Sequence, residues 1–116
     1  MRLFLTSLVL FSYACGSEVK KHQEASLSEV AFEQSYIQAS CDKAFTCYQT
    51  ATLSLLDLGR SPAECSRTLA EDSATDTSEC DYNTDAGTAC MTAMAHMSCE
   101  DFTRGDFPKT CSQVCR

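Results

Sequence analysis

The stretch Ser26-Leu27-Ser28-Glu29-Val30-Ala31-Phe32-Glu33-Gln34-Ser35-Tyr36-Ile37-Gln38-Ala39-Ser40-Cys41-Asp42-Lys43-Ala44-Phe45-Thr46-Cys47-Tyr48-Gln49-Thr50 decides the fold class. Ser26 and Glu29 stand three apart, the spacing of a capping box, in which each side chain satisfies a backbone N–H that a helix start leaves free. Behind them Leu27, Val30, Ile37, Cys41, Ala44 and Tyr48 recur in steps of three and four, with Gln34 as the polar member of the series. That is the period of a helix with one buried face. The spacing predicts a helix from Ser26 to about Thr50, with Cys41 on its apolar stripe.

Downstream, Leu53 to Leu58 is apolar and stops at Gly59, a bend or a helix end. Ser61-Pro62-Ala63-Glu64 then combines an N-cap hydroxyl, a proline where a helix tolerates it and a capping-box acid. A short helix through Cys65 to about Ala70 is expected. Glu71 to Asp85 carries six acids, no base and many Ser and Thr, so it reads as a loop pinned by Cys80. Asn83 or Thr84 caps a third helix, in which Ala86, Ala89, Cys90, Ala93, Met94 and Met97 form one stripe ending near Cys99. Gly105-Asp106-Phe107-Pro108 turns the chain into a terminal segment holding Cys111 and Cys115. No strand-like alternation is long enough to matter. The expected fold is all-α: a small disulfide-rich helical domain over residues 26–116, with three main helices and a short C-terminal segment.

The other end of the chain concerns destination. Met1-Arg2, the apolar-rich run Leu3 to Phe11 and the small residues Ser12 and Ala14 are the parts of a secretory signal, placing residues 1–14 outside the mature fold. The run is far short of the ~20 residues a membrane-spanning helix needs. Cleavage after Ala14 leaves Cys15 as the new first residue. The segment resembles a bacterial lipoprotein signal, with Ser12 standing where that pattern has Leu. The resemblance implies a diacylglycerol on the Cys15 thiol and acylation, such as palmitate, of the new amino group. Gly16 to Ala25 is polar without apolar spacing, so residues 15–25 read as a tether from a lipidated cysteine to the domain.

Cysteine counting supports the same arrangement. The nine cysteines are an odd number, which in an exported chain leaves one over. With Cys15 set aside as lipid acceptor, Cys41, Cys47, Cys65, Cys80, Cys90, Cys99, Cys111 and Cys115 form an even set suited to four disulfides. Eight cysteines allow on the order of a hundred pairings. Tying a helix end to the start of the next element favours Cys47 with Cys65 and Cys99 with Cys111, without excluding other pairings. The alternative for Cys15 is a free or intermolecularly paired thiol on a secreted, unlipidated effector.

The chain carries 16 acids against 9 bases, a net charge of −7. Such a surface repels nucleic acid and anionic lipid, so neither is an expected partner. Membrane contact is expected through the acyl chains on Cys15, which together hold where a single chain would be marginal.

Candidate chemistry is sparse. Met91, Met94, His96 and Met97 group thioethers and an imidazole suited to Cu(I), the concrete form of a small-ligand or metal-binding alternative. Against it, Met94 and Met97 fall on the apolar stripe and read as core. Asp81-Tyr82-Asn83-Thr84-Asp85-Ala86-Gly87 alternates oxygen groups as calcium loops do, but lacks the glycine and the bidentate Glu such a loop requires. His22 and His96 are the two histidines, there is no Cys-x-x-Cys and no nucleophile-elbow sequence. No catalytic residue and no cofactor is assigned, and an enzyme is not expected.

Cys41-Asp42-Lys43-Ala44-Phe45-Thr46-Cys47, then Glu64-Cys65, then Cys90 to Cys99 and Cys111 to Cys115, resemble the small cysteine-rich lipoproteins of myxobacteria and their relatives. The resemblance spans nearly the whole chain and rests mainly on spacing. It implies an envelope location and no particular biochemical activity. Gly16 and Ser17 lack the aspartate that holds some lipoproteins at the inner membrane, so the outer membrane is the expected site by analogy. Plant lipid-transfer proteins also have eight cysteines in helices, but their adjacent Cys-Cys and Cys-x-Cys are absent. The expectation is a non-enzymatic, lipid-anchored envelope module with an acidic surface turned to a protein or ligand partner.

Overall fold

The computed structural model describes residues 26–76 and 78–115; the expected signal, Cys15 and the tether lie outside them. Among the described residues five α-helices follow in order: α1 Glu29–Cys47, α2 Thr50–Leu55, α3 Pro62–Ala74, α4 Thr84–His96 and α5 Cys99–Arg104, then a 3-10 helix Lys109–Gln113. The domain is all-α and disulfide-rich, as its sequence predicts.

Side chains at the helix starts explain most of these boundaries. Ser61 caps α3, its hydroxyl accepting from the Glu64 amide, with Pro62 in the first turn. Glu64 reaches back to accept from the Arg60 amide at 2.7 Å, one residue further than an ordinary capping box. Asn83 Oδ1 accepts from Ala86 N and starts α4. Helix α5 ends on Gly105, whose φ of 77° puts it in the left-handed region that glycine enters without penalty.

Three expectations are corrected. The cap of α1 is Ser28, accepting from Ala31 N, and Ser26 precedes the helix. Helix α1 stops at Cys47, and a second short helix takes up the chain at Thr50. Helix α3 runs on to Ala74, so the acidic stretch begins helical rather than as a loop.

Helix α1 is the axis of the fold and packs on α3, α4 and α5. Glu33 accepts from Ser73 and Cys41 is bonded to Cys65, so α3 runs antiparallel along it. At its start, the Leu27 carbonyl accepts from the Tyr82 hydroxyl just before α4; further along, Lys43 donates to the Met97 carbonyl just after α4. Helices α1 and α4 therefore run parallel. The core between them holds Ala44, Leu53, Cys90, Met94, Met97, Phe102 and Val114, with Phe32, Tyr36, Phe45 and Tyr48 packed against it. The inward side of α1 thus carries Phe32, Tyr36, Cys41 and Ala44, continued by Tyr48 just past its end. Val30, expected on the stripe, is 63% exposed.

Candidate functional site

The largest chemical feature of the domain is its cysteine framework. The bridges are Cys41–Cys65, Cys47–Cys99, Cys80–Cys115 and Cys90–Cys111, with Cα–Cα distances of 5.8, 5.1, 5.0 and 4.7 Å. These lie within the span a disulfide requires. The favoured pairings Cys47–Cys65 and Cys99–Cys111 are therefore wrong. Because α3 folds back antiparallel along α1, its cysteine meets the middle of α1, and the end of α1 meets the start of α5 instead. Four disulfides in one small domain indicate an oxidising, extracytoplasmic location. Among the described residues no helix is long and apolar enough to cross a membrane.

The methionine–histidine group does not form one face. Met94 is 1% exposed and Met97 8%, both inside the core, whereas His96 is exposed and Met91 half-buried. A copper site drawing on all four would have to take its thioethers out of the packing. Among the described residues, no three His, Cys, Asp or Glu side chains converge as metal ligands.

The oxygen-rich run Asp81 to Asp85 is put to structural use. Asn83 caps α4, Asp85 lies in its first turn, and Tyr82 binds the Leu27 carbonyl at 2.8 Å. Burial, and then the nearby Glu29 carboxylate, raise the Tyr82 phenol above its usual range. Thr84 and Thr88 share a further bond along the helix, the Thr88 hydroxyl donating to the Thr84 carbonyl.

Charge is organised at the end of α5. Arg104 meets Glu100, Asp101 and Asp106 at 3.0, 3.0 and 3.1 Å, a cation near the helix C-terminus surrounded by acids. The Ser98 hydroxyl, and then Arg104, lower the Asp101 carboxyl below its usual value. Three carboxylates around one guanidinium leave this corner acidic.

Of the open depressions that face solvent, two lie against helix α1 and the Cys80–Cys115 bridge. A groove of about 570 Å³ between α1 and α3 is lined by Gln34, Ile37, Gln38, Asp42, Ala63 and Ser66, among others. A cleft of about 290 Å³ lies between Phe32, Tyr82 and Val114, with Glu29, Glu33 and Asp76 around it. Neither contains a paired nucleophile and base. Sequence reading missed both, because each forms only when helices distant in sequence are brought side by side.

The fold and this framework define a small, four-disulfide helical domain of an extracytoplasmic protein. No protein-family model, no curated protein and no solved structure matches the chain.

Proposed function

We propose that this chain is a lipid-anchored protein of the cell envelope, a non-enzymatic interaction module held at the outer membrane through acyl chains on Cys15. The observation that carries the reading is the closure of the cysteine set. All eight cysteines from Cys41 to Cys115 are bonded to one another, so Cys15 is the ninth and has no partner in the domain. A thiol directly behind a signal-type segment, with no disulfide to complete, is what lipid modification uses.

The domain's geometry suits a tether. Tyr82 holds the Leu27 carbonyl, which fixes the point at which the preceding segment meets the domain. From Cys15 to Ser26 the chain can extend up to roughly 35 Å, several times the depth of a lipid headgroup layer. The acidic surface then faces a protein or ligand partner rather than the bilayer, which would repel it.

Expression in a bacterial host, followed by fractionation, tests the proposal. The wild-type chain is expected in the detergent-soluble membrane fraction with incorporated palmitate label, and Cys15→Ser in the soluble periplasmic fraction without it. A wild-type chain found soluble and unlabelled would instead establish a secreted, unlipidated effector.

A further inference from the structure

The four bridges are of two kinds. Cys41–Cys65 and Cys90–Cys111 are internal, with Cys41, Cys65 and Cys90 at 0%, 1% and 0% exposure. Cys47–Cys99 and Cys80–Cys115 each include an exposed residue, Cys99 and Cys115. These two differ in support. Cys47 and Cys99 are the last residue of α1 and the first of α5, on helices that pack together. Cys80 and Cys115 lie outside every helix. Beyond their bridge, that corner is held by the Asn83 N–H donating to the Val114 carbonyl at 2.8 Å, by the isolated Tyr82–Cys115 β-bridge and by burial of Val114.

Both cysteines also line the cleft that contains Phe32, Tyr82 and Val114. We propose that Cys80–Cys115 is a redox-sensitive latch on this cleft, opened by a dithiol reductant while the other three bridges and the helices persist. Thiol–disulfide exchange needs access to a sulfur and some freedom of the leaving segment. Local opening is cheapest where few packed contacts must break. Exposed Cys115 and non-helical Cys80 meet both conditions.

The chemistry balances with a dithiol alone. A thiolate of the reductant attacks the Cys115 sulfur, the Cys80–Cys115 bond breaks, and Cys80 leaves as a thiolate that takes up a proton. The reductant's second thiol then displaces Cys115 from the mixed disulfide. Two electrons pass to the protein, and the reductant becomes a disulfide. The product has free Cys80 and Cys115 and a cleft wall held by the Asn83–Val114 hydrogen bond, the Tyr82–Cys115 bridge and burial of Val114.

Graded reduction of the mature, full-length protein with dithiothreitol tests this, with alkylation of freed thiols, mass mapping and circular dichroism of the same samples. The expected first product carries two labels, on Cys80 and Cys115, formed roughly tenfold or more faster than any other pair, with helical signal retained. Labels appearing first on Cys47 and Cys99, or loss of all four bridges together with the helices, would overturn the latch. The double variant Cys80→Ser/Cys115→Ser is expected to fold with three bridges and lack the fast phase. Failure of that variant to fold would also overturn it, since the latch requires a fold that outlasts its opening.

Discussion

A Cβ placed on Gly87 would collide with the Tyr82 hydroxyl and lie 3.1 Å from its ring, so the tyrosine keeps its place beside α4 because this position is glycine. Tyr82 in turn donates to the Leu27 carbonyl and packs on Phe32 with ring centroids 5.9 Å apart. One helical glycine thereby sets where the chain enters the domain.

Gly87→Ala ordinarily would stabilise a helix interior by up to ~1 kcal/mol. Here the sign reverses, because the tyrosine must move and give up its bond. We expect a net loss of about 1–3 kcal/mol in denaturant unfolding. Adding Tyr82→Phe should recover part of the loss by removing the closest atom. An unchanged or raised midpoint for Gly87→Ala would contradict this packing.

Capping distinguishes the observed start of α1 from the one the sequence suggests. Ser28→Ala should lower stability by about 0.5–2 kcal/mol, as should Asn83→Ala and Ser61→Ala, while Ser26→Ala should be close to neutral. Thermal unfolding by circular dichroism reads all four.

The methionine group separates in the same kind of measurement. Met94→Ala, at a 1% exposed site, should cost about 2–5 kcal/mol. Met94→Leu should cost less than about 1.5 kcal/mol. His96→Ala should stay within about 0.5 kcal/mol of wild type, as exposed positions do. Equal effects at Met94 and His96 would contradict the placement of one in the core and the other on the surface.

Acid should weaken the α5 corner in a defined direction. The Asp101 carboxyl is held below the ordinary carboxylate range, first by the Ser98 hydroxyl and then by Arg104. Its contribution is complete above the unfolded value and is lost as pH falls through the lower folded value. Ser98→Ala should move the Asp101 titration upward, followed by carboxyl NMR. A titration left in place would show that Ser98 does not set it.

Much of this fold is legible in local chemistry. Ser61-Pro62-Ala63-Glu64 and Asn83 start helices where their hydroxyl, proline and amide require, and Gly105 turns the chain where it stands. The exact start of α1 is not, because each serine has an amide three residues on to cap, Glu29 for Ser26 and Ala31 for Ser28, and the acid points to the first whereas the helix uses the second. Val30 misleads for a related reason: the aromatic rings of Phe32 and Tyr36 offer more buried surface than its side chain, and they turn the inward face of α1 toward themselves. Pairing is the least legible feature. It depends on α3 running antiparallel to α1 and on α5 meeting the end of α1, relationships between elements that cysteine spacing does not encode.

The site is less legible than the fold. Met94 and Met97 read as core from their place on the apolar stripe, and Cys90, Leu53 and Phe102 packed with them account for that reading. The cleft at Phe32, Tyr82 and Val114 joins three stretches far apart in sequence, and no local pattern marks it.

Intact-mass spectrometry of the protein purified from its own membranes, before and after reduction with alkylation, tests the central claim most directly. We expect a chain beginning at an acyl-bearing Cys15, with no alkylation before reduction and eight alkylated cysteines after it. A chain beginning at an unmodified Cys15, or a Cys15 found in a disulfide, would contradict the anchored reading.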